Sequence, residues 1–404
     1  MLAQTYAPVV GGEERLVEDL SRELARRGHE VVVATLRQPL GEPPPSPEGV
    51  RVRLLGSSVH SIPGIATHET TRYAAPLPDP RTTADLRAVL REERPDVVHA
   101  HNWLVNSYLP LARRAALPLV LSLHDYGILC PTKRLFLDGA VCSGPGPAKC
   151  LRHASEFYGT GKGTMLAAGT AISDPWVRRQ VDLFVSVSSV VGELCRVAGR
   201  PDHRVIPNFV PELPPPPDPE EPRLGFLPVG EFALYFGDIS EDKGAGVLLD
   251  AHARLGAGAP PLVMIGRRNL DRLDGAPGVI APGPVPHPLA IEAVRRSAFT
   301  VAPSIWAEPF GIVALEAGAA GKPVIASASG GLRDVVVDGE TGYLLPPGDV
   351  GALSEAMAGL FAEPELRRRL GFAARERVRD VFSPAAVVPR FEQAYADALA
   401  GRAG

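Results

Sequence analysis

The sequence predicts an α/β protein with two doubly wound domains, each built on a parallel sheet. Three observations support this prediction. The chain has 404 residues, which is more than one ordinary hydrophobic core accommodates. Short apolar segments alternate with helical patterns, as in parallel sheets covered by helices on both faces. A proline-rich segment interrupts this alternation once, and the alternation restarts after it. We therefore expect two similar halves that face a cleft.

Residues 1–210 are predicted to form the first domain. Leu16, Leu20 and Leu24 lie on one stripe of a helix that Gly28 ends. The predicted strands of this domain are residues 30–35, 50–55, 96–100, 118–123, 181–187 and 204–207. Each is rich in β-branched or other apolar residues, which is typical of strands buried on both faces.

Residues 211–222 read P-E-L-P-P-P-P-D-P-E-E-P and are predicted to form a stiff, extended linker. So many prolines exclude a helix or a central strand. The second domain then covers residues 223–383. Its predicted strands are residues 232–236, 261–265, 279–280, 300–302 and 323–326. The chain ends with residues 384–404, which contain a last amphipathic stretch.

Composition excludes several classes of protein. A hydrophobic content of 45% and a charged content of 22% are typical of a soluble globular chain. A net charge of −4 gives no electrostatic argument for binding nucleic acid. No apolar run reaches the roughly 18 residues that span a bilayer, and no secretory signal is evident. We expect a cytoplasmic protein, for which peripheral contact with a membrane remains open.

Three of the four cysteines fall in one segment. Cys130, Cys142 and Cys150 are followed by His153, at a spacing from Cys150 that paired metal ligands often have. These four side chains are candidates for a structural Zn²⁺ site. Free buried thiols are the simpler interpretation. His99 and His101 are two residues apart on one face of a strand, which could suggest a metal site. The simpler interpretation is that both are buried, hydrogen-bonded histidines.

The most informative segment is residues 304–317, S-I-W-A-E-P-F-G-I-V-A-L-E-A. The apolar run of residues 311–321 predicts a buried helix. Pro309 just before it has the fixed φ that suits a first helical position, which places Glu308 at the N-terminus of the helix. Glu316 then lies about 12 Å further along the helix. Paired carboxylates for hydrolysis sit closer, at about 5 to 9.5 Å. This separation favours the two ends of one long polar ligand, such as a sugar nucleotide. The alternative is that Glu308 only interacts with the positive end of the helix dipole, and that Glu316 is only a buried, hydrogen-bonded carboxylate.

The wider run from Ser304 to Gly331, continued by D-V-V-V-D-G-E-T-G-Y-L-L-P-P-G-D at 334–349, resembles retaining GT-B glycosyltransferases of the family 4 type. The resemblance covers nearly the whole chain and implies two Rossmann-like domains. It also implies that residues 384–404 return to the first domain. Members usually carry several more residues before the segment matching residues 2–8. We therefore expect a clipped first strand and lower solubility than in a chain extended upstream.

The resemblance assigns the donor site to the second domain. In A-L-Y-F-G-D-I-S-E-D-K-G, residues 233–244, Lys243 matches the phosphate-binding lysine, whereas Asp238 stands where arginine is usual. Glu308 would hold sugar hydroxyls, and Glu316 would hold ribose hydroxyls. The remaining donor contacts implied are Gly237, Gly266, the backbone at Val285, and the N–H groups of Phe310, Gly311 and Ile312.

Further site residues are expected in the first domain. Gly11 and Gly12 open a helix after the first strand, where backbone N–H groups can meet a pyrophosphate or an acceptor. His124 ends a strand, and the matching residue in similar enzymes contacts the transferred sugar. Residues 56–83 and 126–170 show little regular pattern, and we expect them to form acceptor-binding loops.

These observations predict a retaining glycosyltransferase that uses a nucleotide sugar and needs no metal or other cofactor. The chain contains no D-x-D motif to hold a divalent ion. The acceptor, a sugar, a lipid-linked glycan or a small molecule, and the oligomeric state stay open. One alternative is a catalytically weak homologue that binds sugar nucleotides as a partner subunit, which Asp238 favours. An NAD-linked dehydrogenase is a weaker alternative, because no G-x-G-x-x-G follows the first strand.

Overall fold

The computed structural model describes residues 1–7, 11–39, 46–59, 71–218 and 221–403. Contacts divide the chain into two compact units. The first unit comprises Met1–Leu137, Cys142–Pro207 and Val387–Gly404, and the second comprises Asp138–Val141 and Asn208–Ala386. Residues 211–218 of the proline-rich segment form neither helix nor strand. No helix in the described ranges is long and apolar enough to cross a membrane.

A seven-stranded sheet forms the centre of the first unit. Its strands are β1 (Leu2–Ala3), β2 (Val31–Leu36), β3 (Val50–Leu55), β4 (Val98–His101), β5 (Leu119–Leu123), β8 (Leu183–Ser186) and β9 (His203–Val205). They lie in the order β3-β2-β1-β4-β5-β8-β9, and neighbouring strands are parallel. Two further short strands are β6 (Phe136–Leu137), which belongs to the first unit, and β7 (Ala140–Val141), which belongs to the second. The parallel sheet expected from the apolar segments is therefore confirmed.

Helices cover this sheet. They are α1 (Gly12–Arg26), α2 (Pro80–Glu93), α3 (Val105–Ala115), α4 (Pro147–Tyr158), α5 (Thr160–Gln180) and α6 (Ser189–Leu194). The predicted stripe of α1 is buried, since Leu16, Leu20 and Leu24 are each at most 3% exposed. The apolar face of α1 thus packs inward, as its leucine spacing indicates.

The expectation of loops at residues 126–170 is wrong for much of that segment. Helices α4 and α5 occupy most of residues 147–180. Glycines in α5 hide its helical pattern from the sequence, because glycine disfavours helices on average. Gly163 is needed where the two helices meet, since a Cβ there would overlap the backbone of Ala154. Of the other predicted loop, residues 60–70 lie outside the described residues, and α2 begins at Pro80.

A second parallel sheet forms the centre of the second unit. Its strands are β10 (Ala233–Phe236), β11 (Leu262–Ile265), β12 (Val279–Gly283), β13 (Phe299–Ala302), β14 (Val324–Ser327) and β15 (Gly342–Leu345). They lie in the order β12-β11-β10-β13-β14-β15, again with parallel neighbours. Strand β15 is not among the predicted strands, because glycine begins it and it is only partly buried along most of its length.

The helices of the second unit are α7 (Ala245–Arg254), α8 (His287–Arg296), α9 (Ile312–Ala319), α10 (Leu332–Val335), α11 (Val350–Ala362) and α12 (Pro364–Val381). Tyr235, Met264, Phe299 and Ile325 from four neighbouring strands, with Met357 from α11, belong to one buried core. This core fixes the strand ends from which the site residues project.

The last helix, α13 (Pro384–Ala403), belongs for most of its length to the first unit. Glu392 accepts two hydrogen bonds from Arg27, at 2.8 and 2.7 Å. The hydroxyl of Tyr395 lies 2.8 Å from Nδ1 of His99. These contacts join α13 to α1 and to β4.

Candidate functional site

Three loops of the second unit meet at the carboxyl edge of its sheet. They follow the neighbouring strands β10, β13 and β14, and cover residues 237–244, 303–311 and 328–331. The backbone N–H groups of Ile305 and Trp306 both donate to the carbonyl of Asp242, at 3.0 and 3.2 Å. The N–H of Gly331 donates to the carbonyl of Glu308 at 2.6 Å. The backbone itself therefore holds the three loops together.

Two glycines allow the loops to approach this closely. Gly244 has φ +74°, and a Cβ on it would overlap the carbonyl oxygen of Pro303. Gly330 has φ +56°, and a Cβ there would overlap the carbonyl oxygen of Glu308. Both the left-handed conformation and the close approach require a residue without a side chain.

Lys243 and Glu308 lie in contact at the centre of these loops. Nζ of Lys243 is 2.6 Å from Oε2 of Glu308. The same oxygen accepts from the indole N–H of Trp306 at 3.1 Å and from the hydroxyl of Ser304 at 3.3 Å. The ammonium also lies 4.9 Å from the ring centroid of Trp306. Two candidate residues 65 positions apart are thus brought together, and both side chains keep some exposure to solvent.

The predicted start of the following helix is wrong. Helix α9 begins at Ile312, with Gly311 as its N-cap at φ +98°. A Cβ on Gly311 would come within 2.5 Å of Leu332 Cδ2, so tertiary packing sets the helix start here. Pro309 therefore does not occupy the first helical position, and Glu308 lies on the loop before the helix. The distance between Glu308 and Glu316 therefore does not follow from the rise of a helix.

The start of α9 nevertheless follows this loop directly. Phe310 is buried, at 3% exposure, and Gly311 and Ile312 come next in the chain. The first N–H groups of a helix have no partner within it, and they carry partial positive charge. The N–H of Ile312, the first residue of α9, therefore lies at the carboxyl edge of the same sheet as Lys243, directly after Phe310 and Gly311.

Glu316 has a partner that sequence reasoning missed. Its Oε1 lies 2.7 Å from Nε2 of His287, the first residue of α8. Glu316 is 5% exposed, and the His287 side chain is 31% exposed. Its position in the sequence could have indicated His287 as a site residue. It comes two residues after Val285, just beyond the carboxyl end of β12, where ligands bind in such sheets.

Asp238 is paired with a cation in this structure. Arg267 donates to both of its carboxylate oxygens, at 2.9 and 2.8 Å. The neighbouring glycines make this loop contact possible: Gly237 has φ +142°, Gly266 has φ +152°, and a Cβ on Gly266 would overlap the carbonyl of Gly237. Asp238 thus adds little uncompensated negative charge beside Lys243.

Gly11, Gly12 and His124 belong to the first unit. Gly11 is the N-cap of α1, and Gly12 is its first residue. His124 directly follows β5, and its Nε2 lies 2.8 Å from Nδ1 of His101. Burial lowers the pKa of His124 to about 3, so the ring is neutral at pH 7. Nδ1 of His124 is buried and has no hydrogen-bond partner in the described part of the chain.

The neighbouring histidines are buried rather than arranged around a metal. His99 bonds the hydroxyls of Tyr395 and Ser122, each at 2.8 Å. Burial lowers the pKa of both His99 and His101 well below the usual value. His99 is therefore hydrogen-bonded as expected, whereas Nε2 of His101 has no partner among the residues that the structure describes.

The structure gives no support to a Zn²⁺ site at the cysteine segment. The Cys130 thiol lies 3.3 Å from the Thr132 hydroxyl, and burial raises its pKa. Cys142 donates to the carbonyl of Gly144, and Cys150 accepts from the N–H of Gly146. Within the described ranges, no three His, Cys, Asp or Glu side chains, His153 included, are grouped to hold a metal ion. Each of these thiols bonds within its own turn.

Two family models match the chain. The model of glycosyl transferases group 1 matches residues 222–377, and the model of the glycosyl transferase 4-like domain matches residues 11–208. A glycogen synthase of Mycobacterium tuberculosis is 30% identical over 99% of this chain and 95% of its own. A D-inositol 3-phosphate glycosyltransferase of Thermomonospora curvata is 30% identical over 91% and 86%.

Solved structures share the fold. The sucrose-phosphate synthase of Thermosynechococcus elongatus has a TM-score of 0.72 at 23% identity, covering 97% of this chain and 94% of its own. Anabaena Alr3699/HepE has a TM-score of 0.67 at 18% identity, covering 99% and 98%. The two parallel-sheet units, the two family models and relatives similar over nearly the whole chain agree, and this protein belongs to the group 1 glycosyltransferases of the family 4 type, with the GT-B fold.

Proposed function

We propose that this glycosyltransferase moves a sugar from a nucleotide-sugar donor to an acceptor hydroxyl with retention of configuration and without a metal ion. The observation that carries the proposal is the contact of Lys243 with Glu308, at 2.6 Å, beside the first amides of α9. An ammonium and a helix start together suit a diphosphate. A carboxylate held by three donors beside them suits the hydroxyls of a sugar.

The other donor contacts follow from this placement. Glu316, oriented by His287, would accept hydrogen bonds from the ribose hydroxyls. The backbone at Val285, beyond β12, would meet the base, and the glycine loops at Gly237 and Gly266 would lie along the donor. The Anabaena structure holds UDP-glucose, which supports a nucleotide sugar as the donor class.

The proposed reaction breaks the bond between the sugar C1 and the diphosphate oxygen. Negative charge then grows on the leaving phosphate, where Lys243 and the amides of residues 310–312 would stabilise it. The acceptor hydroxyl attacks C1 from the face that the phosphate leaves and gives its proton to that phosphate. Lys243 supplies a fixed positive charge, and the sequence has no D-x-D motif, which together support metal independence. The contact of His124 with the transferred sugar, which the resemblance implies, stays a prediction.

A panel of nucleotide sugars tests the proposal. UDP-, GDP- and ADP-linked hexoses are each added to the protein, and the melting temperature and the release of nucleoside diphosphate are measured with and without EDTA. We expect one donor class to raise the melting temperature and to be hydrolysed slowly, with no loss in EDTA. NMR of the transfer product would show whether the anomeric configuration is retained. Donor binding without any turnover would instead support the partner-subunit alternative. The pairing of Asp238 with Arg267 weakens that alternative.

Replacing His287 with alanine is expected to weaken binding of the nucleoside diphosphate about tenfold. A hydrogen bond to a charged group contributes about 1.5 to 3 kcal/mol, and the substitution releases Glu316 from its present orientation. Glu316→Gln should weaken binding at least as much. Isothermal titration of the diphosphate identified in the donor panel measures both. His153→Ala, in the first unit, serves as the matched control, and equal dissociation constants for His287→Ala and the control would contradict this role.

A further inference from the structure

A pocket of about 360 Å³ opens at the amino edge of the sheet in the second unit. Residues that directly precede β10, β13 and β14 line it, together with the start of α12. Its charged lining residues are Glu231, Arg296, Lys322, Arg367 and Arg368. The volume is within the range of small-molecule sites. The proposed donor loops follow the opposite ends of the same three strands, so this pocket is separate from the donor site.

The three arginines of the pocket are each paired with a carboxylate. Arg296 bonds Glu292 at 2.8 Å, Arg367 bonds Glu231, and Arg368 bonds Glu365. Of these three carboxylates, Glu292 and Glu365 are not among the residues that line the pocket. The wall of the pocket is therefore cationic, although each guanidinium is held in place by an acid.

Lys322 differs from the arginines, because no carboxylate within the described ranges pairs with it. Its ammonium donates to the carbonyl of Ser297 at 2.7 Å. Ser297 follows the last residue of α8, and a cation is favourable beside the end of a helix. This contact uses one of the three N–H donors of the ammonium. The other two have no acceptor among the residues that the structure describes, and they are left for a ligand.

Arg367 lies close to Lys322 and is held there. It is 9% exposed and donates to the carbonyls of Leu360 and Phe361. Burial lowers the pKa of Lys322, and the charge of Arg367 lowers it further. Glu231 offsets part of the charge of Arg367, but its side chain is 49% exposed. Two like charges are thus fixed near each other, and an anion that joins them would relieve the repulsion.

We propose that this pocket is an anion site that binds the phosphate group of a small ligand, with Lys322 as its principal contact. Lysine and arginine together suit phosphate, because lysine provides a compact charge and arginine provides parallel N–H donors. A neutral ligand would leave the repulsion between Lys322 and Arg367 in place. The pocket has room for inorganic phosphate or for the phosphate ester of a small polyol. The inference goes beyond the proposed transfer reaction and does not depend on it.

Ligand titration tests the charge requirement. Inorganic phosphate, glycerol 3-phosphate and glucose 6-phosphate are compared with glycerol and glucose by isothermal titration, with the nucleoside diphosphate from the donor panel present at saturation. At least one phosphate ligand is expected to bind about tenfold or more tightly than the neutral compounds, and to lose this advantage as salt is raised. Tighter binding of an ester than of inorganic phosphate would identify the ester as the ligand, and the reverse order would identify the free ion.

Two results of this titration would overturn the proposal. One is equal binding of the charged and the neutral compounds. The other is tighter binding of citrate, whose charges are all on carboxylates, than of every phosphate ligand. If the donor panel identifies no diphosphate, the proposed transfer fails, and the titration is run without a diphosphate because it needs no turnover.

Variants test the residue assignment. Lys322→Met is expected to weaken binding of the preferred phosphate ligand about tenfold. Lys149→Met is the matched control and should leave binding unchanged, because Lys149 is a lysine of α4 in the first unit and bonds Ser143. Arg368→Gln should weaken binding about threefold by the loss of one exposed charge. The side chain of Arg368 is 69% exposed, so this variant keeps the test valid if Lys322→Met folds poorly. Unchanged affinity in Lys322→Met, or in Arg368→Gln where that variant alone folds, would overturn the assignment.

Thermal melting separates a ligand contact from a purely structural role of Lys322. A ligand that binds only the folded protein raises its melting temperature. The preferred phosphate ligand is expected to raise the melting temperature of the wild type and of Lys149→Met, and to raise that of Lys322→Met much less. If Lys322 only holds the end of α8, Lys322→Met melts lower in buffer but gains as much from the ligand as the wild type does, and the assignment fails.

Discussion

Lys243→Met is expected to lower kcat/KM for sugar transfer by about 100-fold or more, because it removes the ammonium that we propose stabilises the leaving phosphate. Removing a single preorganised donor to a developing anion costs about 10²- to 10³-fold in comparable sites. The melting temperature should fall far less than activity does, since Glu308 keeps its hydrogen bonds from Trp306 and Ser304. The loss of activity thus exceeds any effect of unfolding.

Steady-state transfer and thermal melting measure the two effects separately. Lys149→Met provides the control for loss of a lysine in a part of the chain outside the proposed donor site. Lys243→Arg keeps the charge but changes its geometry, so it should recover part of the activity. Transfer by Lys243→Met within about threefold of wild type, with the correct donor, would show that the ammonium does not stabilise the phosphate.

The two parallel sheets were predictable because the strands that form them follow from local sequence pattern. Short β-branched segments such as residues 31–36 and 262–265 are buried on both faces of their sheets, and only a parallel sheet covered by helices accommodates such runs. Helix α5 escaped prediction for the opposite reason. Gly163 allows the close contact with α4, and Gly169 lies against Pro76 and Leu77. These two glycines therefore reflect tertiary packing and not the helix propensity of the segment.

The candidate site was predictable where chemistry follows from motif, and not where it depends on distant partners. Lys243 and Glu308 were expected in one site and lie in contact. The pairings of Glu316 with His287 and of Asp238 with Arg267 join residues 29 positions apart in each case. No local pattern encodes them. The start of α9 was misplaced because Leu332, 21 residues away, packs against Gly311.

Glu308→Gln is expected to reduce transfer by about 10- to 100-fold, with Glu308→Ala at or beyond the upper end. The carboxylate accepts from Lys243, Trp306 and Ser304 at one oxygen, Oε2. We propose that its other oxygen, Oε1, accepts hydrogen bonds from hydroxyls of the donor sugar. Glutamine keeps the shape but loses the charge, and hydrogen bonds to a charged acceptor contribute about 1.5 to 3 kcal/mol. Nucleoside diphosphate, which lacks the sugar, should bind both variants nearly as well as wild type.

The comparison of kcat/KM for transfer with the dissociation constant of the diphosphate gives the decisive readout. Glu365→Gln is the matched control, because Glu365 is an exposed glutamate at the start of α12. In the double variant Lys243→Met/Glu308→Gln, the losses should be non-additive, since the two residues contact each other and are proposed to act on one donor. A purely structural role for Glu308 predicts the reverse pattern. Diphosphate binding and the melting temperature would then fall together with transfer, because the loops that follow β10 and β13 would lose their shared contact.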